Sequence, residues 1–280
     1  HYALVLWNHG GGYTGLIEDV TSGGTRLMTM AELREALPSE QPLDLVDFDM
    51  CLMGGFETLV SLKGKAQHVV FSEEVVPGEG NPYTRILNAL KQNPDRSPAQ
   101  FASLIVDEFH TSFSNSRSST TMSAYAMSGL PAAEAAIGNL AASLRGNLQA
   151  LAPTIGAASA AAQKFEYPQL TDLGDLLDTL DVRVADQGVR AQIAAVRAAV
   201  EAPSFRLNSK VRRGSDAQAA DVRRARGLHI VLPSGQPGDA MPSTGPGSLA
   251  SYRALYPDAP WTAFLTDYLA AGGAGKQYVD

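Results

Sequence analysis

His9 and Cys51 are the side chains of this sequence whose types and placement suit covalent chemistry. Cysteine occurs once, so the chain can form neither an internal disulfide nor a multi-thiolate zinc site, and any role falls to a single sulfur. A thiol becomes a strong nucleophile only when it loses its proton. An imidazole beside it can take that proton and later hand it to a leaving amine. The amides of Gly10 and Cys51 are placed to line an oxyanion hole, and Gly10, Gly11 and Gly12 leave room for a substrate backbone.

Two other readings of the glycine loop make demands that the rest of the chain does not meet. His9 to Gly12 as the oxyanion loop of a serine esterase requires a G-x-S-x-G elbow, and no serine here has glycines at that spacing. Gly10, Gly12 and Gly15 match G-x-G-x-x-G, but a pyrophosphate cradle needs a helix opening there. The stretch breaks instead at Thr21 to Gly24. Taken singly, Cys51 reads as core packing and His9 as a hydrogen-bonded loop histidine; their joint placement at strand ends is what favours a dyad.

The elements that must position them follow from periodicity. Tyr2 to Trp7 is an apolar run expected to form a buried parallel strand ending at His9, and Leu43 to Met50 leads into Cys51. Val69 to Phe71 is a third strand, and Met30 to Leu37 a short helix ended by Pro38. This is the order of an α/β sheet, whose ligands bind beyond the carboxyl ends of its parallel strands. Ser97 to Gln100 is a capping box with proline at the first helical position. A strand is expected near Met122 to Met127, helices over Pro131 to Leu151, Leu173 to Leu180 and Val189 to Val200, and a buried strand over Gly227 to Pro233. A Gly/Pro-rich loop spans Gly235 to Gly247, and a last helix lies near Trp261 to Leu269. We therefore expect an α/β core over residues 1–130 and a helical insertion or subdomain over 131–205. Residues 206–280 then supply a basic loop, a further core strand and a C-terminal helix.

Composition narrows the partners. Lys and Arg number 22 against 29 Asp and Glu, and a net charge of -7 opposes a phosphate backbone, so nucleic acid is not expected. No run approaches the roughly 18 apolar residues a membrane helix needs, so no membrane partner is expected.

Four segments together resemble the clostripain family of cysteine peptidases: Leu6 to Gly12, Asp47 to Met53, Ser72-Glu73-Glu74 with Pro77-Gly78, and Ala225 to Leu228. The resemblance implies a caspase-like α/β/α sandwich with a mostly parallel sheet, a His9 and Cys51 dyad, and cleavage after Arg, with Lys second. It places Asp49 in the specificity pocket, where a carboxylate suits a guanidinium or ammonium, and leaves Glu79, on the Gly78-Glu79-Gly80 turn, as a second pocket acid. Asp49 also suits a cap for a helix starting at Leu52 or Met53. Glu73 and Glu74 read as structural acceptors or a rim, and Asp47 as a buried strand-end acid. His68, His110 and His229 receive no role.

The family's fold normally has a strand and helix upstream of the histidine strand. The chain's own N-terminal segment is thus an expected partner, beside peptide or protein substrates with Arg or Lys before the scissile bond. Self-cleavage after a basic residue is a family habit, with Arg26 and the stretch Lys210, Arg212, Arg213, Arg223, Arg224 and Arg226 as candidate sites. That stretch reads otherwise as a solvated loop. No cofactor is expected to be required; calcium, used by some members, has no assignable ligands here. Secretion or a place in the cell envelope is implied by the resemblance alone. The alternative function is a non-catalytic binding or regulatory module of the same fold, or an inactive fragment lacking its N-terminal strand.

Overall fold

In β4 (Leu45–Asp49, LVDFD) the period of two sends Val46 and Phe48 to one face of a sheet and Leu45, Asp47 and Asp49 to the other. The computed structural model describes residues 1–19, 21, 26–236 and 238–273, and this strand lies inside its central sheet. The first strand is β1 (Ala3–Trp7), followed by the ribbon of β2 (Leu16–Glu18) and β3 (Leu27–Met28) and the helix α1 (Met30–Ala36). A full capping box of Thr29 and Glu32 starts α1. After β4 come α2 (Phe56–Ser61), β5 (His68–Phe71), α3 (Tyr83–Gln92), α4 (Pro98–Ser112) and β6 (Thr120–Ala126). The Ser97 box caps α4 as its sequence requires.

Next come α5 (Leu130–Gly146), α6 (Leu148–Ala161), β7 (Leu170–Asp172), α7 (Leu173–Asp181), α8 (Gln187–Val200), β8 (Arg206–Arg212), β9 (His229–Val231), α9 (Leu249–Leu255) and α10 (Pro260–Ala270). The helix expected over 131–151 is two helices, because the chain breaks at Asn147, the C-cap of α5 and N-cap of α6.

The described strands of the main sheet lie in the order β1-β4-β5-β6-β8. β1, β4 and β5 pair in parallel, and β6 runs against both β5 and β8. Only β6 is thus reversed, and the sheet is mostly parallel in direction. Helices α3 and α4 bury Ile86, Ala102, Ile105 and Phe109 against Leu45, Val70 and Met122 on one face. On the other, Val46, Phe48 and Phe71 share a core with Leu33 of α1, Leu59 of α2, Ile137 of α5, Ile193 of α8 and Phe264 of α10. Helices of the 131–205 stretch therefore form part of one layer of the sandwich. This α/β/α arrangement is the fold the sequence led us to expect.

Three expectations need correction. β1 is an edge strand with Val5 42% and Trp7 69% exposed, because among the described residues only β4 pairs with it. The Gly227 to Pro233 segment is buried but joins no central strand: β9 pairs antiparallel with β7 in a separate two-stranded ribbon. Lys210 and Arg212 are not in a mobile loop but in β8, an edge strand on β6. Its charges are accommodated because an edge strand leaves one side to solvent.

Candidate active site

The register between β1 and β4 sets the site. Ala3 pairs with Leu45 and, four residues on, Trp7 pairs with Asp49. His9 and Cys51 each stand two residues beyond that last pair, at the carboxyl ends of adjacent parallel strands. Both line a cleft of about 460 Å³ together with Trp7, Asn8, Asp49, Val76 and Gly80. His9 is exposed, its amide donating to Asn8 Oδ1 at 2.6 Å. Cys51 is half-buried, and the amide of Val76 donates to its Sγ at 3.4 Å. Burial pushes the thiol up from its ordinary range, the nearby Glu74 and Asp49 add to this, and the Val76 amide opposes it. With its pKa raised, the thiol is neutral near pH 7, in the same cleft as the exposed His9.

The backbone around the sulfur is tightly specified. A Cβ on Gly10 would meet the Cys51 carbonyl oxygen at 2.4 Å, so glycine is required where the two strand ends approach. The bonds Gly11 N to Gly15 O and Ile17 N to His9 O bracket Gly10, leaving its own amide outside this small ladder. Leu52, next to the cysteine, has φ 63°, a left-handed conformation that costs a non-glycine residue about 1–2 kcal/mol.

Asp49 is 2% exposed at the wall of the cleft. Its Oδ2 accepts from Asn81 N at 2.9 Å and from the Tyr83 hydroxyl at 2.6 Å, while Oδ1 has no donor. It does not cap α2, which starts at Phe56 with Gly55 as an N-cap that makes no side-chain bond. Beneath it Asp47 accepts from Asn81 Nδ2 at 2.8 Å, and burial, with Asp49 close by, raises its carboxyl well above the usual range. Gly80, at φ 63°, covers Asp49 so closely that a Cβ there would lie 2.6 Å from Oδ2. Glu79 is not brought into this cleft; it is exposed and lines a neighbouring cavity with Asn81, Pro82 and Ser116.

A sequence model of the clostripain family matches residues 1–200. The chain belongs to the clostripain family. It is a cysteine peptidase with the fold of solved C11 proteases. A secreted C11 cysteine protease from Bacteroides thetaiotaomicron, bound to an irreversible peptide inhibitor, is 17% identical with a TM-score of 0.66, the match covering 94% of this chain and 73% of that one. An inactive zymogen C11 protease from Parabacteroides distasonis is 21% identical with a TM-score of 0.64, over 94% and 70%. A Bacteroides thetaiotaomicron clostripain in complex with a peptide inhibitor is 14% identical with a TM-score of 0.60, over 89% and 98%. A search of curated proteins returns no match.

In this clostripain-family chain the Ser72-Glu73-Glu74 segment is a buried junction. Thr121 Oγ1 accepts the amides of Glu73 and Glu74, both at 3.0 Å, and the Glu74 carbonyl accepts the Leu52 amide at 3.3 Å. Glu73 Oε2 accepts from Gly227 N at 2.8 Å, and Asp172 Oδ2 accepts from Arg226 N at 2.6 Å. The two carboxyls also meet each other. Burial and Asp172 raise Glu73 well above its usual range, and burial lifts Asp172 to about 6, so Glu73 keeps its proton next to Asp172. Acids raised on folding stabilise below their unfolded pKa, and that stability is lost as pH rises through the folded value. Glu73→Gln keeps an acceptor for Gly227 and a donor for Asp172. At pH 8 its melting temperature should exceed the parent's by about 2–4 °C, the shift of about 1 kcal/mol in a chain of this size. At pH 5.5 the gap should narrow; equal melting curves at both values would mean that Glu73 is already ionised.

The basic residues toward Arg226 are tied down by acids, one a neighbour in sequence and two distant along the chain. Arg223 binds Asp221 at 2.6 Å, Arg224 meets Asp175 at 3.1 Å, and Arg226 contacts Asp178. Arg26 remains on the surface, held to Glu32 at 2.5 Å. His68 binds the Asp44 carbonyl at 2.9 Å and His110 meets Arg212 at 3.1 Å, both far from the cleft. His229 lies beneath the cysteine turn, where sequence reading gave it no role; a histidine inside the apolar run Gly227 to Pro233 was the one local signal. Among the described residues no cluster of three His, Cys, Asp or Glu is arranged to hold a metal, and no helix is long and apolar enough to cross a membrane.

Proposed function

We propose that His9 and Cys51 form the dyad of this cysteine peptidase and that it cleaves peptide bonds after Arg, with Lys second. The observation that carries this is the β1–β4 register, which brings both residues to one cleft whose wall contains Asp49. His9 takes the thiol proton as Cys51 Sγ attacks the scissile carbonyl, and the amides of Gly10 and Cys51 receive the oxyanion. The imidazolium then protonates the departing amine. Water, deprotonated by His9, releases the acyl group and restores the thiol. Every proton moves between side chains, substrate and water, so the scheme asks for no cofactor.

For the residue before the scissile bond, a buried carboxylate offers a charge-assisted bond and rejects acidic side chains. Glu79 is assigned to the rim of that pocket, able to contribute only if the Gly78 to Gly80 turn shifts. The open edge of β1, with Val5 and Trp7 exposed, fits an added strand from an upstream segment of the same protein. Self-cleavage, if it occurs, is best served by Arg26, because Lys210 and Arg212 are held in a β ladder. Secretion is likewise proposed, by analogy with the secreted relative.

The test is hydrolysis of fluorogenic peptides that differ only in Arg, Lys, Asp, Asn or Leu before the bond, under reducing conditions with and without chelator. Arg-selective turnover that survives chelation is expected. Equal rates on Leu and Arg would remove the acidic pocket, loss on chelation would bring in a metal, and silence on all five would point to a catalytic unit awaiting its upstream strand.

A further inference from the structure

The peptide that follows the nucleophile is held in an unfavourable conformation by a residue far away in sequence. Leu52 sits at φ 63° with a side chain that L residues seldom carry there. Two bonds secure it: its amide reaches the Glu74 carbonyl at 3.3 Å, and its carbonyl meets His229 Nε2 at 2.9 Å. His229 is 1% exposed, on β9, and its own amide donates to the Gly54 carbonyl at 2.9 Å. A carbonyl oxygen only accepts, so His229 must carry its proton on Nε2 and is the donor. Burial lowers its pKa to about 4, which keeps the ring neutral near pH 7.

The surroundings are built for this ring. A Cβ on Gly55 would lie 2.5 Å from His229 Cε1 and 2.9 Å from Nδ1, and one on Gly12 would lie 2.8 Å from the Leu52 oxygen. Glycine at both positions therefore makes room for the histidine and for the carbonyl it holds. On the far side Glu57, 2% exposed, anchors β9 through Val231 N at 3.1 Å and takes the Tyr252 hydroxyl at 2.8 Å. Glu57 Oε2 and His229 Nδ1 are both without partners, and both lie where a side chain on Gly55 would begin. Burial raises the Glu57 carboxyl above its ordinary range.

We propose that His229 is a positioning residue: through the Leu52 carbonyl it holds the left-handed turn that aims Cys51 Sγ and the Cys51 amide at the substrate. This rests on the reading of Cys51 as the nucleophile. It implies that the need for His229 vanishes when residue 52 reaches positive φ without strain, as glycine does.

The experiment compares His229→Met, His229→Gln, Leu52→Gly and Leu52→Gly/His229→Met in kcat, KM and melting temperature on an Arg peptide, with Cys51→Ala alongside. His229→Met should lower kcat about 100-fold with KM within about threefold, the loss expected when substrate still binds but the attacking group is misaimed. His229→Gln, which retains a donor, should recover part of it. In the Leu52→Gly background, His229→Met should cost less than about threefold, because glycine reaches the turn without strain for His229 to hold. A folded His229→Met with near-parental kcat, or an undiminished cost in the glycine background, overturns the proposal. If His229→Met does not fold, a folded and active double variant supports it and an unfolded one refutes it. Activity persisting in Cys51→Ala would instead remove the nucleophile assignment beneath it.

Discussion

Cys51→Ala loses peptide hydrolysis by about 10⁴-fold or more while keeping the parental melting temperature, because nothing else in the cleft can form the acyl intermediate. Cys51 is only half-buried and its sulfur makes two weak bonds, both to the Val76 backbone, so removing it takes little from the fold. His9→Ala follows with a loss of about 10²–10⁴-fold, the range for a general acid–base. The two losses should not multiply, since each variant disables the same proton-coupled attack. Because burial keeps the Cys51 thiol neutral at rest, alkylation of the parent by iodoacetamide at pH 7 should be slow and rise as pH approaches the thiol's raised pKa. Fast alkylation at pH 6 would show instead a preformed thiolate with a protonated His9. Parental turnover in either variant would remove the dyad.

Asp49→Ala should lower kcat/KM on Arg peptides by about 10²–10³-fold, the cost of withdrawing the buried partner of a charge pair, while Cys51 alkylation changes by less than about twofold. The separation follows from where the carboxylate stands. Its Oδ2 is engaged by Asn81 and Tyr83, and in the proposed pocket its unpartnered Oδ1 is the atom a guanidinium would meet. Asp47 below it is kept protonated and cannot substitute as a charge. Leu peptides, which never used the charge, should be cleaved no worse than by the parent. If Arg hydrolysis and alkylation fall together, Asp49 serves the architecture of the β4 end and the specificity lies elsewhere. Stability should be followed in parallel, since the substitution also strands the amide of Asn81.

Much of the site was legible because its parts are local. Strand-length apolar runs ended at His9 and Cys51, and the separation between them equals the offset at which β1 pairs with β4. Period-two patterning in Leu45 to Asp49 put both acids on one face. The Ser97 box and the Leu173 and Val189 helices were readable for the same reason: caps and helical periods act within a few residues. β8 was missed because Arg206 to Arg212 is polar on most positions, as an edge strand can be. α3 was missed behind the turn residues Pro77 to Pro82, although its first residue, Tyr83, holds Asp49.

By itself the sequence determined the family, the α/β order, and the placement of His9 and Cys51 at successive strand ends, since each is written in neighbouring residues. Only the tertiary structure decided that Glu73 is raised beside Asp172, that the basic stretch is paired with Asp175, Asp178 and Asp221, and that His229 bonds the Leu52 carbonyl. Apart from Asp221 with Arg223, which are neighbours in sequence, those pairings join residues far apart along the chain that only tertiary packing brings together. For Glu73, Asp172 and His229 burial strengthens the contacts, which no local pattern records.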